Sequence, residues 1–184
     1  HDKVVACHRL AIIGTKEAVP ALAALLTDEK LAHMARHALE PMPDPAAGAA
    51  LRDALGKVHG LLLVGVINSI GFRRDAAATA ALAGLLAGSD EQVTTAAAAA
   101  LGRIGNAEAA KKLEGALSRA AGALQIAFAD ASLTCAEKLV TDGKRNDATG
   151  IYDRLSGSGF PDHIRTAAMC GAITAREAGA FRCW

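Results

Sequence analysis

Aromatic side chains are scarce in this sequence: Phe, Trp and Tyr together make up 3% of its 184 residues. Strands favour β-branched and aromatic residues, and single-stranded nucleic acids are commonly held on stacked aromatic rings. Neither a sheet nor a base-stacking surface is therefore favoured. An excess of charge of one sign is missing as well. Twenty basic residues against nineteen acidic ones leave a formal net charge of +1, without the basic surplus that duplex binding uses. The longest strongly apolar run, Leu61 to Ile67, is far short of the roughly 20 residues that span a bilayer. The expected partners accordingly include no nucleic acid and no membrane. Cys7, Cys135, Cys170 and Cys183 stand far apart, with no Cys-x-x-Cys spacing. They read as isolated thiols rather than a disulfide framework or a zinc site.

Signatures of catalysis are missing too. "GSGFPD" has no third glycine and no preceding strand for a dinucleotide loop, and "SGSG" does not fit the Gly-x-Ser-x-Gly frame. Gly143-Lys144 has no glycine five residues before Gly143, so it makes no P-loop, and no His-Glu-x-x-His occurs. The expectation is a chain that is not an enzyme and holds no cofactor, catalytic residue or metal. No signal peptide is visible. The chain starts at His1 without a methionine and stops at Trp184 just after a helical pattern, which reads as a piece of a longer polypeptide.

What is abundant is alanine, with leucine next, and it is organised. Three short stretches, "LAIIGT" (10–15), "INSIGF" (67–72) and "LGRIGN" (101–106), each carry an apolar residue, then Ile three places on, then Gly. "LEPMPD" (39–44) fits the frame with Met42 and Pro43 in the last two positions. The anchors Gly14, Pro43, Gly71 and Gly105 are thus 29, 28 and 34 residues apart, a period typical of helical repeats. Between them "VPALAALL", "GAALRDAL", "TAALAGLL" and "AKKLEGAL" bring Leu22, Leu51, Leu82 and Leu113 into register. Each unit reads as a leucine-bearing first helix, a short turn, and a second helix ending at the Ile-Gly signal. Ser89 with Gln92 predicts a capping box, and Asp28-Glu29 marks the equivalent turn one repeat earlier. Asp44-Pro45 predicts an N-cap followed by proline at the first helical position. Gly14, Gly71 and Gly105 are expected to close second helices in the left-handed conformation.

Over residues 1–119 these motifs resemble HEAT repeats, in particular the short, alanine-rich bacterial kind called phycocyanobilin-lyase-like. The resemblance implies an all-α fold: a right-handed α-solenoid of about five to six stacked antiparallel helix pairs, whose second helices line a concave surface. Such arrays usually bind proteins. A few family branches act on chromophores or carry metal-dependent hydroxylation, the latter with His-Glu dipeptides at matching repeat positions; here no histidine precedes a glutamate. Residues 120–184 are expected to continue the same stack in divergent form. Ala120 to Asp142 reads as one longer helix and His163 to Glu177 as another. Ala136, Leu139, Gly143, Ala148 and Tyr152 look like a tetratricopeptide unit, with a divergent HEAT pair as the alternative.

The stretch "HMARHALEPMPDP" (33–45) poses the functional question. On a helical wheel Leu31, Met34, Ala35, Ala38 and Leu39 share one side, and His33, Arg36, His37 and Glu40 take the other. His8 lies two residues before Leu10 and His37 two before Leu39, so the two are equivalent on neighbouring second helices and are expected side by side. His8, His33, Arg36 and His37 are the candidate partner-binding residues. The alternatives are a solvated face, or a metal site without a carboxylate or thiol to complete it. The pairs Arg73-Arg74, Lys111-Lys112 and Lys144-Arg145 read as solvated turn charges rather than a phosphate-binding ridge. The functional expectation is a non-catalytic interaction scaffold or accessory repeat module of a larger bacterial protein. It would meet a protein or neighbouring domain through its concave face. The alternatives are a chromophore-lyase-type enzyme module and a nucleic-acid-binding HEAT array. End-to-end self-association is also expected, through a terminal helix carrying Ile164, Ala168, Ile173, Phe181, Cys183 and Trp184.

Overall fold

A computed structural model describes residues 2–180, and among these the chain is all helix and turn, with no strand. Two compact units divide it. The first, His1–Ala78, holds α1 (Asp2–Ile13), α2 (Val19–Ala24), α3 (Ala32–Leu39), α4 (Pro45–Ala54) and α5 (Gly60–Arg73). The second, Thr79–Trp184, holds α6 (Thr79–Leu85), α7 (Glu91–Ile104), α8 (Ala107–Leu117), α9 (Gly122–Thr141), α10 (Arg145–Leu155) and α11 (Asp162–Ala180). The change of sequence pattern after Arg119 falls inside the second unit, between α8 and α9. No helix among the described residues is long and apolar enough to cross a membrane.

Within each unit, helices pair and the pairs meet through like members. In the first unit α2 packs on α3 and α4 on α5, while α2 also touches α4, and α3 touches both α1 and α5. In the second, α6 pairs with α7, α8 with α9 and α10 with α11; α6 meets α8, α7 meets α9, and α9 meets α11. The registered leucines explain the pairing. Leu22, Leu51, Leu82 and Leu113 are all essentially inaccessible, at 0–1% exposure, and each such burial contributes about 1.5–3 kcal/mol.

Small residues set how closely these helices approach. Ala97, Ala98 and Ala100 on α7 and Ala129 on α9 are fully buried. At Gly102 a Cβ would lie 2.6 Å from the carbonyl oxygen of Ala131 and 3.2 Å from its Cα. The α7–α9 contact is therefore backbone against backbone, and any side chain at Gly102 has to force it apart.

The capping expectations divide. Asp44 is the N-cap of α4, its Oδ1 accepting from the Ala46 N–H at 2.8 Å with Pro45 at the first helical position. Asp28 Oδ1 accepts from the Lys30 and Leu31 amides at the α2–α3 turn. Gly105 ends α7 with φ +63°, donating to the Leu101 carbonyl. The other two glycines do not act this way. Gly14 closes α1 by donating to Leu10 without a left-handed φ, and the Met42 side chain fills the space of its missing Cβ. Gly71 is buried inside α5, which runs on to Arg73. There Arg74 adopts φ +50° while its N–H reaches Gly71 O and the Asp75 N–H reaches Ile70 O. This is a Schellman closure with a non-glycine in the left-handed position. The predicted capping box is shifted by one residue. Asp90, not Ser89, caps α7, its Oδ1 accepting from the Gln92 and Val93 amides. An ionised cap also complements the positive end of the helix.

The repeat frame loosens at its edge: Ile70 and Ile104 are buried, but Ile13 is 73% exposed. In the later segment Ala136, Leu139, Ala148 and Tyr152 are all buried, and the Tyr152 ring lies against Gly171. On α11, Ile164 and Ala168 are buried rather than offered to another copy, because that face packs on α10 and α9. Ile173 and Met169 are the exposed apolar residues there. Phe181, Cys183 and Trp184 lie outside the described residues.

Candidate functional site

The candidate residues meet on one face of the first unit. α3 is amphipathic as its spacing requires: Ala32, Ala35, Ala38 and Leu39 are buried, whereas His33 and His37 are exposed and Arg36 and Glu40 are partly so. The α1–α3 contact then brings His8 to His37, their ring centroids 5.9 Å apart and the rings edge to face. One turn back, the Arg36 Nη2 lies 3.4 Å from His33 Nδ1. Arginine has no acceptor, so in this contact the guanidinium can only donate.

A second layer, on α5, holds Arg36 in place. Its Nη1 donates to the Gly65 carbonyl at 3.0 Å and to Ser69 Oγ at 3.3 Å. Ser69 Oγ, fully buried, lies 2.7 Å from Glu40 Oε1, to which it donates, and 3.2 Å from the Gly65 carbonyl. The guanidinium lies directly over Gly65, where a Cβ would stand 2.6 Å from Cζ. Arg36 Nε is buried there without a hydrogen-bond partner. Burial pulls the Arg36 guanidinium below its ordinary pKa and the Glu40 carboxylate pulls it back; an arginine so placed stays charged.

One repeat length organises the whole cluster. His8–His37, Arg36–Gly65 and Glu40–Ser69 are all separated by 29 residues, so each contact joins successive second helices at about one repeat length; by the 28-residue interval from Pro43 to Gly71, Gly65 and Ser69 stand one position past strict register. Ser69 escapes a reading of single helices, since it stands beside the exposed Asn68 as one of two polar residues in the apolar run of α5. Its spacing from Glu40 was the available signal.

Arg73 also departs from expectation. Rather than a solvated turn charge, it threads back to α3, where Nη1 donates to the carbonyls of Leu39 (2.8 Å), Glu40 (2.9 Å) and Met42 (2.5 Å). It thereby satisfies the orphan acceptors at the end of α3, a cation on the negative helix terminus. Its neighbour Arg74 is exposed, as are Lys111, Lys112 and Lys144.

Elsewhere the chemistry is subdued. Burial raises the Cys7 thiol and pushes Cys135 up to about 11, so neither supplies thiolate at neutral pH. An open hollow of about 570 Å³ lies between Gly14–Glu17 and Met42–Asp44. Its Glu17 carboxyl is held down by the Thr15 hydroxyl, which favours the anion over a proton-donating role. No group of three or more His, Cys, Asp or Glu side chains suited to a metal ion occurs among the described residues. Compared with known proteins, the chain matches no family model and no curated sequence.

Proposed function

We propose that this chain is a non-catalytic interaction module: a HEAT-like array whose helix pairs, about five to six in number, belong to a right-handed α-solenoid. His8, His33, Arg36 and His37 would meet a protein partner or neighbouring domain on its concave, second-helix face. The like-to-like helix contacts inside each unit and the buried leucine register support the array. The observation that carries the functional reading is the 29-residue convergence of exposed histidines over an arginine anchored from behind. Anchoring by Gly65, Ser69 and Glu40 fixes Arg36 without covering His33 or His37. Side chains held in place before binding lower the entropy lost on binding. An exposed face suits a macromolecular surface better than a small substrate, which is usually enclosed in a concave pocket.

Site-specific photo-cross-linking in source-cell extract tests this. A photoreactive residue at His33 should capture one dominant protein, and the same residue at Lys111 on α8 should not. Equal capture at the two positions, or capture at Lys111 alone, would sink the assignment of this face.

A further inference from the structure

The unmet chemistry of the cluster is that of a donor set without an acceptor. His8, His33 and His37 each bring at least one ring N–H in either tautomer. Arg36 adds a fixed positive charge beside His33. The Glu40 carboxylate, which acts on the Arg36 guanidinium, accepts from the Ser69 hydroxyl. We infer that His8, His33 and His37, with Arg36 beside His33, form a docking site for an acidic protein segment, with an Asp or Glu carboxylate bridging His8 and His37. The inference rests on the interaction-module reading and names its partner's chemistry.

The ring pair makes the site responsive to pH. Two imidazoles with centroids 5.9 Å apart repel once both are protonated, and a carboxylate between them removes that repulsion. A carboxylate seated between the rings favours their protonated forms, so binding is coupled to proton uptake. Among the described side chains, the other charged groups on the packed elements are Arg9 on α1, Asp28, Glu29 and Lys30 before α3, Arg36 and Glu40 on and after it, Arg52 and Asp53 on α4, and Arg73 on α5. Charge-assisted bonds of this kind are about twice as strong as neutral ones, and their exposed position makes them sensitive to salt.

The test uses the full chain and three probes by fluorescence anisotropy: a capped deca-glutamate, a capped deca-glutamine and a ten-residue oligothymidylate. Deca-glutamate is expected to bind at 25 mM salt, at least fivefold tighter at pH 6 than at pH 8. Calorimetry in two buffers of different ionisation enthalpy should show proton uptake. His8→Gln with His37→Gln should abolish the pH dependence and weaken binding at least tenfold, with an unchanged helical spectrum. Deca-glutamine binding as tightly as deca-glutamate would overturn the acidic specificity, yet would leave the interaction face standing if the double variant weakened it. Tighter binding of the oligothymidylate would overturn it in favour of a nucleic acid. Deca-glutamate binding indifferent to the double variant would overturn the assignment of these residues. Failure of cross-linking at His33, in contrast, would remove the interaction-module reading itself.

Discussion

Replacing Gly102 on α7 by alanine sets two effects of known size against each other. Alanine in a helix interior is better than glycine by about 1 kcal/mol, because glycine loses more backbone entropy on folding. At Gly102, however, the added Cβ would lie 2.6 Å from the Ala131 carbonyl oxygen, against an ordinary contact of 3.4 Å or more. The obstacle is backbone of α9, so relief requires moving a helix rather than turning a side chain. Overpacking of this kind costs about 1–3 kcal/mol, which makes the net effect a loss of up to about 2 kcal/mol. Gly150 on α10 is the internal control: it lies in the same compact unit, and a Cβ there meets nothing within 4 Å. Gly150→Ala should therefore stabilise by up to about 1 kcal/mol. Urea unfolding followed by far-ultraviolet circular dichroism reads both as midpoint shifts of opposite sign, at constant slope. If Gly102→Ala stabilises as much as Gly150→Ala, α7 and α9 are not in backbone contact and the packing described above is wrong.

Leu82→Ala should cost about 2–5 kcal/mol, since Leu82 is fully buried, whereas His37→Ala should change stability by no more than about 0.5 kcal/mol; equal thermal destabilisation would mean that His37 is buried or ligated. Arg74→Gly should stabilise by roughly 1 kcal/mol by relieving the left-handed φ of +50°, and a loss in denaturant titration would contradict that cap. For Cys135, the folded-state pKa is raised from 9.0 to about 11 by burial. The stabilisation is complete below pH 9 and disappears as pH climbs from 9 toward 11, at up to about 1.4 kcal/mol per pH unit. Unfolding series at pH 8.5, 9.5 and 10.5 should show a steeper decline for wild type than for Cys135→Ala, and parallel declines would refute it.

Spacing by itself determined what each helix buries. The leucine positions 22, 51, 82 and 113 are core because they recur at helical period in a repeat. The same repeat length of 29 residues placed His8 beside His37, since equal register on adjacent helices means spatial neighbourhood. Asp44 and Gly105 were legible as caps because their chemistry acts within one turn. What tertiary structure decided was how polar groups far apart in sequence are satisfied. Whether a helix ends at Gly71 or runs to Arg73 depends on Arg73 finding the carbonyls of Leu39, Glu40 and Met42 at the end of another helix. Whether Arg36 reaches water or lies over Gly65 depends on the space left by a missing side chain on α5. Periodicity fixes faces because it is a property of one helix; the partners of a long cationic side chain belong to two, and only packing brings them together.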